Sequence, residues 1–163
     1  MKKFKIDNIG KELSQQGLCL DLEAYNCCKQ KSRFCPIENA EGELRDLPGE
    51  FSKDKSPESS ERYCVGLAKE LFSDPKNTNT MEGYRYKECG HYAFNSGRHR
   101  ACILLKAYQR GWQSSLSLEA SESDGWCEWC SKMKDLNTIS RLAFLKRIKA
   151  RSDLRECYII GGS

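Results

Sequence analysis

Apolar residues recur along this chain at two spacings, and between Tyr84 and Gly111 one gives way to the other. Tyr84 to Lys87 and His91 to Asn95 are aromatic-rich runs flanking Glu88-Cys89-Gly90, after which Ala101, Leu104, Leu105, Tyr108 and Trp112 take up a helical period. The stretch predicts a strand, a tight turn, a returning strand and an amphipathic helix, with Lys106, Gln109 and Arg110 off its apolar face. Upstream, Cys64, Leu67, Ala68 and Leu71 predict a helix over 60–72, capped by Ser59 or Ser60 with Glu61 in its first turn. Phe4/Ile6 and Leu18/Leu20/Leu22 alternate with other residues and predict short strands or an added arm. Leu116, Leu118 and Ala120 predict a half-buried strand once Gly111 has ended the helix, and residues 121–125 a linker. Ile139, Leu142, Ala143, Leu145 and Ile148 predict a further helix over 138–150, before a last short strand or frayed end at Tyr158-Ile159-Ile160.

The junction between the second aromatic run and its helix reads Asn95-Ser96-Gly97-Arg98-His99-Arg100. A helix start carries unpaired N–H groups and the positive end of the helix dipole, and Asn95 or Ser96 is positioned to cap it. Three cationic or potentially cationic side chains there oppose the usual preference for acidic residues, a conflict that a bound phosphate resolves. The alternative is a solvated basic turn in which Gly97 serves the loop.

These residues carry a resemblance. The order of helix, Asp74-Pro75 loop, strand, turn, strand, Gly-x-His-Arg (Gly97, His99, Arg100), helix and strand is similar to the core shared by ParB-type proteins and sulfiredoxins, over about residues 36–120. The resemblance implies an α+β fold, a small mixed sheet with packed helices, in three parts: an N-terminal arm over 1–35 with a cysteine cluster, the core over 36–120, and an extension over 121–163. It also implies that Gly97, His99 and Arg100 hold the phosphates of ATP or CTP with Mg2+; Ser96 and Arg98, from the reading of the helix start, complete the phosphate-binding candidates. Arg98 stands where sulfiredoxins carry their cysteine, so sulfinic acid reduction is not implied. Arg62-Tyr63-Cys64-Val65-Gly66-Leu67 replaces their Lys, Ser and Thr positions. Relatives on this fold include kinases and putative nucleases. For a phosphoryl-transfer or nuclease enzyme the catalytic candidates are His99, Arg98 and Glu61, with Glu61, Asp74 and Glu88 as carboxylates for Mg2+.

Composition narrows the setting. The 163 residues are 39% hydrophobic and 31% charged, enough for one ordinary domain, and a net charge of +4 is too small to dictate a partner. No apolar run reaches signal-peptide or membrane-spanning length, so the expectation is a soluble cytoplasmic protein with no membrane partner. In that setting the ten cysteines read as thiols, metal ligands or redox groups rather than disulfides.

Two cysteine groups are candidates for Zn2+. Trp126-Cys127-Glu128-Trp129-Cys130 contains a C-x2-C knuckle, half of a tetrahedral site, and Cys27, Cys28 and Cys35 form the other cluster. The set Cys127, Cys130, Cys28 and Cys35 would tie the arm to the extension; a dithiol or buried thiols are the alternatives. Cys89-Gly90-His91 is a further pair, placed in a hairpin turn where such side chains more often pack or face water. Lys132 to Arg155 holds eight basic and two acidic residues. Arg141, Lys146, Arg147, Lys149 and Arg151 are the candidates for DNA or RNA contact, against a solvated helical face. Three functions stand side by side: a nucleotide-phosphate-binding ParB-like switch acting with nucleic acid, an enzyme on the same fold, and a zinc-stapled nucleic-acid-binding adaptor.

Overall fold

The computed structural model describes residues 1–20, 35–42, 57–73, 80–112, 116–135, 143 and 159–162. In chain order they hold β1 (Lys3–Ile6), α1 (Ile9–Gln16), β2 (Leu18–Cys19), α2 (Pro57–Ser73), β3 (Glu82–Tyr86), β4 (Tyr92–Ser96), α3 (Arg98–Gln109), β5 (Leu118–Ser123), α4 (Glu128–Asp135) and β6 (Ile159–Ile160). The strands make one mixed sheet in the order β1-β5-β3-β4-β2-β6, which with its packed helices is the α+β class expected. β3 and β4 form the antiparallel hairpin that the aromatic runs predict. β5 lies parallel to β3 and β2 parallel to β4, while β1 and β6 pair antiparallel at the edges.

Strand alternation decides which residues enter the core. Ile6, Leu18, Tyr92, Phe94, Leu118 and Ala120 cluster with Ile9 and Leu13 of α1, Leu67 and Leu71 of α2, and Leu104 and Leu105 of α3. The Tyr92 hydroxyl, carried into this cluster, donates to the Glu12 carboxylate at 2.9 Å, so no polar group is stranded and α1 is tied to the sheet. An eight-residue helix is marginal in water by itself. The Asn8 side chain caps α1 by accepting from the Lys11 N–H at 2.9 Å, and packing on α3 does the rest. That packing is backbone-close: a Cβ on Gly10 would stand 2.5 Å from the Leu104 carbonyl oxygen.

Several expectations change. The segment expected as an arm supplies β1, α1 and β2, which build the sheet and its core, so a boundary at residue 36 runs through one packed unit. α2 begins at Pro57, suited to a first helical turn, and Ser59 and Ser60 lie inside the helix instead of capping it. β5 continues to Ser123, into the expected linker. Every residue of α3 from Ala101 to Ala107 is buried, Lys106 included, because α3 has α1 and α2 as neighbours and residues 35–42 against it. Lys106 Nζ pairs with Glu38 Oε1 at 2.8 Å and donates to Cys35 Sγ at 3.3 Å, while Arg110 donates to the carbonyls of Glu38 and Ala40. The helix over 138–150 lies outside the described residues apart from Ala143, which is helical; Ile159–Ile160 does form a strand, against β2.

Candidate functional site

The end of the sheet where β3 turns into β4 collects the chemistry-bearing side chains. Because β5 runs parallel to β3, with Tyr84, Arg85 and Tyr86 in register with Ser121, Glu122 and Ser123, both strands leave the sheet at the same end. The hairpin turn and the segment after β5 therefore meet. Lys87 N–H donates to the Ser123 carbonyl at 3.0 Å and Glu88 N–H to the Gly125 carbonyl at 3.2 Å. An ion pair between Lys87 Nζ and Asp124 Oδ1, 2.6 Å, adds to the seam.

This seam brings Cys89 and His91 from the hairpin against Cys127 and Cys130 at the start of α4. Their ligand atoms all lie within 4.8 Å of one another. His91 Nδ1 faces the sulfurs, 3.3 Å from Cys127 Sγ and 3.4 Å from Cys130 Sγ. Backbone donors turn toward the sulfurs as well: Cys127 N–H reaches Cys89 Sγ at 3.4 Å and Cys130 N–H reaches Cys127 Sγ at 3.5 Å. A tetrahedral ion bound to sulfur at about 2.3 Å needs S···S edges of about 3.8 Å, which the cluster meets with small adjustments. Three sulfurs and an imidazole nitrogen, without a carboxylate, suit a thiophilic ion of tetrahedral preference. The cluster can hold one metal ion.

Burial is graded across the four donors. Cys127 is fully buried, while Cys89, His91 and Cys130 are half-buried. The Cys127 thiol is pushed up to about 12 by its hydrogen bond with Cys19 and by burial; burial and the Cys127 sulfur push Cys130 in the same direction. Cys19 is held below its ordinary value by that same hydrogen bond to Cys127.

Among the residues expected at a metal site, Cys127 and Cys130 are in the cluster. Cys35 is elsewhere, buried against Lys106, and Cys28 lies outside the described residues. Cys89 and His91 complete the four-donor set instead. Their signal was in the sequence as C-x-H followed by C-x2-C, two half-sites that add up to four ligands. What hid it was the parallel β3–β5 pairing that joins them.

The Gly97 to Arg100 turn sits at the other end of β4. Six residue steps at roughly 3.3 Å separate His91 from Gly97, so about 20 Å lies between the four-donor cluster and the turn, and neither can act directly on the other. Asn95 and Ser96 are still in β4 and exposed, so neither caps α3. The cap residue is Gly97, left-handed at φ 87° with no side-chain cap. A Cβ there would fall 2.7 Å from Met81 Cγ, so glycine is required both by conformation and by contact. Arg98 Nε donates back to the Phe94 carbonyl at 2.9 Å, and His99 stands edge-on to Tyr63 with ring centroids 5.0 Å apart. Arg100 Nε is buried and has no hydrogen-bond partner. A cleft of about 280 Å3 opens beside the turn, lined by Met81, Glu82 and Asn95 with Lys3, Tyr84 and Glu119 among others; Gly97, Arg98, His99 and Arg100 are not in its lining.

Glu61 belongs to α2, but its side chain is outside the described residues, as are Asp74 and the basic candidates Arg141, Lys146, Arg147, Lys149 and Arg151. Glu88 is exposed in the hairpin turn, at the four-donor end of the sheet rather than at the Gly97 turn. Among the described residues no helix is long and apolar enough to cross a membrane. No family model matches the chain, and neither a curated protein nor a solved structure matches it.

Proposed function

We propose that this protein is a zinc-stapled binding module. One zinc ion on Cys89, His91, Cys127 and Cys130 fastens α4 to the hairpin, and the Gly97 to Arg100 turn at the far end of β4 receives phosphate oxygens of a nucleic-acid partner. The observation that carries this reading is the convergence of four soft donors from two segments 36 residues apart, counted from His91 to Cys127. Four protein ligands leave a tetrahedral ion no open position, so the metal acts as a staple and not as a catalyst. Metal analysis of the purified protein should return one zinc per chain. Binding to DNA or RNA should weaken steeply with salt, and more than one zinc-ligand substitution should weaken it further by loosening α4 and the basic segment that follows. A chain that folds and binds nucleic acid equally well with no metal refutes the reading.

A second reading, a nucleoside triphosphate on the same turn, draws on Arg100 Nε, which is buried without a partner beside an uncapped helix start. It fits the resemblance to ParB-type proteins and sulfiredoxins. Thermal stabilisation by ATP, CTP or GTP with Mg2+, abolished in His99→Ala/Arg100→Ala, is its test. Release of labelled γ-phosphate would turn this switch into an enzyme, with Arg98, His99 and Glu61 the side chains to replace next.

A further inference from the structure

Away from both ends of β4, a thiol and an amine meet inside the protein. Lys106 Nζ donates to Cys35 Sγ at 3.3 Å and pairs with Glu38 Oε1 at 2.8 Å. Among the described residues Lys106 is the buried charged side chain, and Cys35 is equally enclosed, each at 5% exposure. The contact is held from both sides. Residues 35–42 fold back on themselves, with the Asn39 N–H and side-chain amide both donating to the Cys35 carbonyl, at 3.1 and 2.9 Å. Arg110, one turn beyond Lys106 on α3, donates to the Glu38 and Ala40 carbonyls and clamps the same segment on the helix. An ammonium at hydrogen-bond distance favours the thiolate of its neighbour, the form that reacts with oxidants. Glu38, in contact with the same Nζ, keeps 36% of its side chain exposed, so the pair lies one carboxylate below the surface and within reach of a water-sized oxidant.

We propose that Cys35 and Lys106 form a redox-sensitive modification site, in which hydrogen peroxide turns their hydrogen bond into a covalent sulfenamide, Cys35 Sγ bonded to Lys106 Nζ, that thiols reverse. Sulfenic acids condense with nitrogen nucleophiles, and here the nitrogen already touches the sulfur. In the first step the Cys35 thiolate attacks one peroxide oxygen. An S–O bond forms and the O–O bond breaks, and the departing oxygen leaves as water with a proton from the Lys106 ammonium. That proton transfer leaves a neutral amine beside a sulfenic acid. In the second step Nζ attacks the sulfur, an N–S bond forms, and the S–O bond breaks as the hydroxyl leaves as water with a further Nζ proton. Sulfur is oxidised by two electrons, the peroxide is reduced to water, and the thiolate and ammonium charges are both consumed. The link would lock residues 35–42 onto α3.

The test treats the folded full chain with hydrogen peroxide, blocks the remaining thiols, and reads the unfolded product by tryptic peptide mass spectrometry. The peptides carrying Cys35 and Lys106 should appear joined, about 2 Da below the sum of their separate masses, with no cleavage after Lys106. Dithiothreitol should separate them and restore that cleavage. Lys106→Met and Cys35→Ser should each give no link, and in Lys106→Met the Cys35 thiol should react at least about tenfold more slowly. A chain unfolded in urea before the peroxide is added should give none either, since only the fold brings the two groups together. The proposal is overturned if Cys35 in the folded wild-type chain ends unreacted, as a sulfinic acid or in a disulfide with another cysteine while trypsin still cuts after Lys106. A link that forms equally in the urea-unfolded chain overturns it as well.

Discussion

Lys106 is 5% exposed in a helix whose sequence placed it on the wet side, and it survives there because Glu38 and Cys35 reach it. Burial by itself would lower its pKa; the Cys102 and Cys35 sulfurs and the Glu38 carboxylate outweigh that and hold it above its ordinary value. The pair is asymmetric, since Glu38 keeps 36% exposure and can turn to water while Lys106 cannot. Glu38→Gln should therefore cost about 3 kcal/mol by leaving a buried ammonium without its counter-charge, and Lys106→Met about 1 kcal/mol or less, as measured by urea denaturation. Equal losses would mean that the carboxylate is no better hydrated than the ammonium. Cys127 makes the second prediction at this scale. Its thiol, held up to about 12, keeps its proton throughout the neutral range, and Cys130 is shifted the same way. A metal must expel these protons along with that of Cys89, so its affinity should rise by at least about a hundredfold per pH unit between pH 6 and 8. Chelator competition at two pH values reads the slope, and a pH-independent affinity would show that the thiols are not the ligands.

Packing between elements depends on close approaches more than on propensity. α1 lies on α3 through Gly10, and Gly10→Ala has no open space to enter, because the Leu104 carbonyl oxygen and Tyr108 Cβ block it at 2.5 and 3.0 Å. Alanine would be the better helix former in isolation. The overpacking should win, lowering stability by about 2 kcal/mol with the helix content of the folded state unchanged, as followed by thermal denaturation and circular dichroism. A neutral or stabilising result would mean that α1 can shift freely on α3. The element boundaries that periodicity gave well are those with a local cause: the β3–β4 hairpin, and the α2 face of Cys64, Leu67, Ala68 and Leu71, all buried. α1 is not legible in the sequence, because its eight residues carry three buried positions, Ile9, Gly10 and Leu13, too few to establish a period.

Across the whole molecule, the sheet carries the four-donor cluster at one end of β4 and the glycine turn at the other. Since the cluster joins only the hairpin turn to the start of α4, the helices on the core face should outlast metal removal. Chelation should first raise amide hydrogen exchange in residues 126–135 and 87–91, while α3 stays protected. Zinc at a hundredfold excess over Kd should add about 2.7 kcal/mol to the unfolding free energy. Loss of protection in α3 together with α4 would instead make the metal a requirement for the fold. By itself the sequence determined the hairpin, the two long core helices and the glycine at the start of α3, because each follows from spacing or backbone freedom within a few residues. The tertiary structure alone decided that Cys89 and His91 join Cys127 and Cys130, that Lys106 is buried, and that the first twenty residues belong to the sheet. Those outcomes depend on strand pairings and loop contacts between stretches 35 or more residues apart, and nothing in either partner's own stretch records which other stretch will lie beside it.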